Sequence, residues 1–112
     1  DKCHVITCRE KSFTIRNAPR IFNIIYSKLI PNIDIVLVLT SVEIVDSSAC
    51  GCILHLHRLL KAGGCRLAVV CKGNVRNTLM RLHFQRLMHL FPQTSDAVKA
   101  IRKSRAAASE IK

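Results

Sequence analysis

Two aliphatic runs, "IDIVLVL" at 33–39 and "CRLAVVC" at 65–71, limit what this chain can fold into. Each is rich in β-branched residues, and neither alternates apolar with polar. Such a run reads as a strand covered on both faces, usually a parallel one. Parallel strands cannot be joined by a tight turn; they need a long crossover, most often a helix. The segment between the runs supplies one. Its apolar positions Ile53, Leu56, Leu59 and Leu60 fall at helical spacing and are expected to face inward, with His55 and Arg58 outward. Gly63 and Gly64 give that helix a stop. Residues 34–39 and 65–71 are therefore expected to be neighbouring parallel strands at the sheet centre, joined by a right-handed crossover.

The rest of the chain extends this pattern. "HVITC" at 4–8 and "SFTI" at 12–15 read as strands, with "CREK" as a hairpin turn between them. Asn17 is a good N-cap and Pro19 suits a first helical turn. Ile21, Ile24, Ile25, Lys28 and Leu29 follow helical spacing until Pro31 and Asn32 stop it. Ser47 or Ser48 can cap the central helix, which runs to about Ala62. "NVRNTLMRLHF" reads as a helix capped by Asn74, "LFPQ" as a short extended piece, and 94–112 as a final helix. The expected fold class is α/β: a mixed, mostly parallel sheet of four to five strands packed with about four helices. The 112 residues fit one domain, 1–112, with about 105–112 as a frayed basic tail.

Composition narrows the chemistry. Six cysteines (Cys3, Cys8, Cys50, Cys52, Cys65 and Cys71) would staple a secreted domain, but "DKCHVITCRE" has no secretory apolar core. The thiols are expected to be reduced, mostly small core hydrophobes, and the chain cytoplasmic. No cysteine pair has the C-x2-C spacing of a structural zinc site, so no metal and no cofactor are expected. No apolar run approaches the roughly 20 residues of a membrane span, so no membrane insertion is expected. The net charge is +11. From Arg58 to Arg105 there are eleven basic residues against one acid, Asp96. That field favours an acidic protein partner, nucleic acid or a membrane surface. Nucleic acid is not expected, because interleaved aromatics, a helix-turn-helix and a zinc finger are all missing.

One stretch carries a more specific signal. In "VEIVDSSACGCILHLHRLLKAGGCRLAVV" a strand ends at Asp46, two serines follow, and an apolar helix, a glycine stop and a strand come next. This order resembles a STAS domain, the family of sulfate transporters and bacterial anti-sigma factor antagonists, whose turn reads Asp-Ser-Ser/Thr-Gly-Leu-Gly. "FTIRNAP" is similar to the family's first strand-to-helix turn, and "NVRNTLMRLHFQRLMHLFPQTSDAVKAI" to its last third. The resemblance implies an anti-sigma factor antagonist that binds an anti-sigma factor serine kinase and frees a sigma factor. The second serine of the turn, Ser48, would be the phosphoacceptor. Asp46, Ser47, Ser48, Ala49, Cys50 and Gly51 would form the partner-binding turn. Ser48 rather than Ser47 is expected to lie exposed at the helix start, with Asp46 accepting backbone N–H bonds. The chain departs from the family at Ala49 and Cys50, where Gly and Leu are usual. It also departs at Val38 and Thr14, where phosphorylated members often carry acids.

Two other readings compete. A non-phosphorylated STAS subunit docking on the ATPase of a lipid-transport ABC transporter fits "FTIRNAP" and the missing acids. An enzyme is not expected: the serines lie outside any G-x-S-x-G elbow, and no histidine is near them in sequence. His57 shares the inward face of its helix and reads as a semi-buried packing residue.

Overall fold

The computed structural model describes residues 3–110. Its principal sheet holds β1 (Cys3–Thr7), β3 (Asp34–Val38), β5 (Leu67–Val70) and β6 (His89–Phe91) in that spatial order, every pair parallel. A second, two-stranded parallel ribbon pairs β2 (Ser12–Phe13) with β4 (Ile44–Val45). The helices are α1 (Ala18–Ser27), α2 (Ser47–Ala62), α3 (Gly73–Arg81) and α4 (Thr94–Glu110), with a single 3-10 turn at Phe84–Arg86. The α/β class and the central pairing of the two aliphatic runs are thus as expected, with Val38 opposite Val70.

Why the runs are aliphatic throughout is visible in their burial. Ile35, Leu37, Leu67 and Val69 point to one side and join the main core with Ile21 and Ile25 of α1, Ile53, Leu56 and Leu60 of α2, and Val75 and Leu79 of α3. Val36, Val38, Ala68 and Val70 point to the other side, where Ala97 and Ile101 of α4 cover them. A strand residue on either face therefore leaves water, each large aliphatic contributing about 1.5–3 kcal/mol. All six thiols are free; Cys8, Cys50, Cys65 and Cys71 are buried. Burial pushes the Cys71 thiol up to about 11, which keeps it protonated at neutral pH.

Several local expectations are corrected. "CREK" does not turn a hairpin. It lacks the Asn-Gly or Asp-Gly pair that a two-residue hairpin turn needs. Instead the Cys8 N–H continues the pairing of β1 by donating to the Val38 carbonyl at 2.9 Å, and the chain then leaves the sheet for the ribbon. Asn17 does not cap α1 with its side chain. Its amide ties the preceding turn, accepting from Thr14 N at 2.9 Å and donating to the Ser12 carbonyl at 2.8 Å. Asn74 does not cap α3, which starts two residues early, at Gly73 after an N-cap at Lys72; the Gly73 φ of +59° suits glycine. Leu59 is exposed rather than inward. α4 runs to Glu110, so the segment from about 105 continues that helix, and Arg105 is ion-paired. Residues 111 and 112 lie outside the described residues.

What holds Arg105 is Asp34, a fully buried carboxylate at the start of β3. Arg105 Nε and Nη2 donate to its two oxygens at 2.7 and 2.8 Å, and the Arg66 N–H donates at 2.8 Å. Burial alone would raise the Asp34 carboxyl, but the hydrogen bonds from Arg105 and Arg66 outweigh it and hold it below the ordinary carboxylate value. A depressed carboxylate stabilises the fold above its unfolded pKa, and that contribution is lost as pH falls through the folded value. Arg105→Met strands a buried carboxylate and should cost about 3–5 kcal/mol, toward the lower end because the arginine is partly exposed. Asp34→Leu with Arg105→Met removes both charges and should recover most of that loss. Urea unfolding of the two variants at pH 7 checks both; equal losses would mean that the ion pair's charge is not what matters.

Candidate functional site

The serine turn sits where the ribbon meets the helices. β4 ends at Val45, Asp46 takes an extended conformation, and α2 begins at Ser47. The N-cap is Asp46 rather than either serine: its Oδ1 accepts the Ala49 N–H at 3.1 Å. Its Oδ2 accepts the Ile15 N–H, 31 residues away, at 2.8 Å. One carboxylate thus caps α2 and pins the β2–α1 turn beside it, as expected of an Asp46 that takes backbone N–H bonds. The Ile15 bond, partly opposed by burial and aided by the Ala49 and Ser48 N–H groups, holds the Asp46 carboxyl below its ordinary value.

The exposure of the serines reverses the expectation. Ser47 is exposed and Ser48 is half-buried. The reason is helical geometry. Ser48, Cys52 and His55 follow one another at i, i+4 and i+7 and so share a face. That face lines a groove of about 520 Å³ against α1, walled opposite by Ile15, Ala18, Pro19 and Phe22. Ala49 and Cys50 turn inward, at 0% and 5% exposure, and belong to the core. Gly51 is exposed, with nothing within 4 Å of the position a Cβ would take. The structure therefore brings Asp46, Ser47, Ser48 and Gly51 to one surface and withdraws Ala49 and Cys50 beneath it.

The groove also contains residues that sequence reasoning passed over. Phe22 stacks on His55 at 5.0 Å between ring centroids, and on Tyr26 at 6.0 Å. Ile15 is 69% exposed although it is large and aliphatic. An isoleucine flanked by Thr14, Arg16 and Asn17 in a polar turn was the available signal. His55 lies two turns from Ser48, about 10 Å along the axis, beyond hydrogen-bond reach of its hydroxyl. His57 is half-buried; desolvation, then Lys61 and Arg58, push its pKa down. Among the described residues, no cluster of three or more His, Cys, Asp or Glu is placed to hold a metal ion. No helix there is long and apolar enough to cross a membrane.

Strand–Asp-Ser-Ser–helix geometry on a parallel sheet, with α4 on the far face, can be compared with known proteins. The model of the STAS domain matches residues 3–97. This chain belongs to the STAS-domain family. No curated protein matches it in sequence. A Thermotoga maritima crystal structure, provisionally assigned as an anti-sigma factor antagonist, superposes with a TM-score of 0.77. It is 23% identical, over 88% of this chain and 87% of that one. At that identity the likeness speaks to the fold, and it agrees with the STAS architecture described above.

The clamp gives a direct test. Asp46→Ala removes the α2 cap and frees the Ile15 turn, so it should lower the melting temperature clearly. Ser47→Ala, which removes no cap, should leave it nearly unchanged. The Asp46 contribution is present above the unfolded aspartate pKa and fades as pH falls through the depressed folded value. The gap between parent and Asp46→Ala should accordingly narrow in acid. Thermal melts of the three proteins at pH 7 and pH 3 measure it; a gap that is the same at both pH values would contradict the clamp.

Proposed function

We propose that this STAS domain, acting as one unit, is a bacterial cytoplasmic anti-sigma factor antagonist. It binds an anti-sigma factor serine kinase, releases the sigma factor, and is switched by phosphorylation of Ser48. The observation that carries the reading is the placement of Ser48: in the first turn of α2, on the wall of an apolar groove, beside a turn that Asp46 holds rigid. A phosphate there lies at the positive end of the helix dipole, so the domain tolerates it. The same charge of about −1.5 to −2 would face Ile15 and Phe22 across the groove, where it opposes apolar packing by a partner. Asp46, Ser47, Ser48 and Gly51 then form the contact surface. Ala49 and Cys50 contribute from below, as small residues that let α2 sit close to the core.

A second reading is favoured by two positions. Val38, buried within β3, and Thr14 carry no carboxylate, so neither place offers the kinase-facing acid of phosphorylated relatives. A non-phosphorylated STAS subunit docked on the ATPase of a lipid-transport ABC transporter has no need of those acids. The two readings separate on Ser48. Under the first, Ser48→Asp melts within a few degrees of the parent and loses about 1 kcal/mol or more of affinity for the kinase. Incubating the parent with that kinase and ATP should yield phosphoserine at Ser48, found by peptide mass spectrometry. Unchanged affinity together with no phosphoserine would favour the ATPase-docking module.

A further inference from the structure

The strands are all parallel, so their carboxyl ends and the amino ends of α1, α2 and α3 gather at one end of the molecule. That end collects three positive helix termini in addition to its side chains. Beside the serine turn, beyond the β2–β4 ribbon, the segments leaving β1, β3 and β5 enclose a cleft of about 630 Å³. Arg9, Lys11 and Lys72 line it, one or two from each of two strand ends, and Glu43 is the one carboxylate among its lining residues. Among the described residues, none of these four side chains makes an ion pair; the two salt bridges there are Arg20–Glu10 and Arg105–Asp34. The first turn of α3 opens into the same cleft at Gly73 and Asn74, with no side-chain cap and no acid. The backbone beneath is fixed: the Glu43 N–H donates to the Lys11 carbonyl at 2.7 Å, and the Leu39 N–H to the Val70 carbonyl at 2.8 Å.

We propose that this cleft receives a carboxylate-bearing segment of the protein partner that meets Ser48. The inference rests on the reading that this end of the molecule faces a protein. Fixed backbone with long cationic side chains that make no ion pair suits the rim of a protein interface. The chemistry also gives the switch a second component. A phosphoryl group on Ser48 adds negative charge at the same end, so it repels an acidic segment as well as opposing apolar packing. The excess positive charge of the chain then serves recognition, and the on-rate for the partner falls with added salt.

The probe is a synthetic hexaglutamate peptide titrated into the nitrogen-15-labelled chain, followed by amide shifts. The expected result is a saturable response concentrated at Thr40, Ser41, Gly73 and Asn74. Arg9→Glu with Lys72→Glu should weaken it roughly tenfold or more. Arg102→Glu with Lys103→Glu, an equal charge change on exposed α4 positions, should leave it in place. Equal loss in both double variants, or shifts spread over α3 and α4, would show a diffuse basic surface and overturn the proposal. A localised response to ATP or inorganic phosphate but not to the peptide would also overturn it, in favour of a small-anion site. Neither failure touches the Ser48 phosphorylation assay, so the two readings stand or fall separately.

Discussion

A sheet in which every strand runs the same way must be covered on both faces, and this requirement organises the rest of the molecule. Parallel strands force crossovers, so α1, α2 and α3 intervene between successive strands of the main sheet and pack on one side. That leaves the opposite face, with Val36, Val38, Ala68 and Val70, for whatever follows β6. The final helix covers it with Ala97 and Ile101. The same directionality gathers the amino ends of three helices at one edge. The serine turn and the cationic cleft are there because the topology admits no other place for the segments leaving β3 and β5.

Two aspartates hold this arrangement at opposite ends of the strands, by different physics. Asp34 is fully buried and balanced by a guanidinium, so its charge is costly to strand and gives the final helix a fixed register against β3. Asp46 is satisfied by backbone N–H groups and needs no counter-charge. It fixes two turns relative to each other without adding a cation to the surface beside Ser48.

The sequence announced the architecture more fully than the site. The two aliphatic runs were legible because double-sided burial removes polar residues from both faces of a strand at once. The helix between them was legible because its spacing and its glycine stop agree. The capping residue was misread because Asp46, Ser47 and Ser48 are all competent N-caps, and only the Ile15 N–H, far off in sequence, decides among them. The exposure of Ser47 and Ser48 depended on α1, whose position over α2 no local pattern encodes. Ala49 and Cys50 looked like part of a surface because they are small; the helix phase turns them to the core. The ion pair of Asp34 and Arg105 spans 71 residues. Its only trace in the chain is an acid inside an otherwise aliphatic strand.

The final helix has a further consequence for how the molecule fails. Among its described side chains, Ala97 and Ile101 are the buried ones that cover four aliphatic strand residues, and the Arg105–Asp34 ion pair fastens it further along. Local opening would start there, since small apolar contact areas open before the main core does. The surface bared by that opening is a contiguous aliphatic patch of Val36, Val38, Ala68 and Val70, the kind that associates with copies of itself. The helix is therefore a shield against self-association. Acid, which discharges Asp34, would loosen that shield while the three-helix side of the sheet stayed packed.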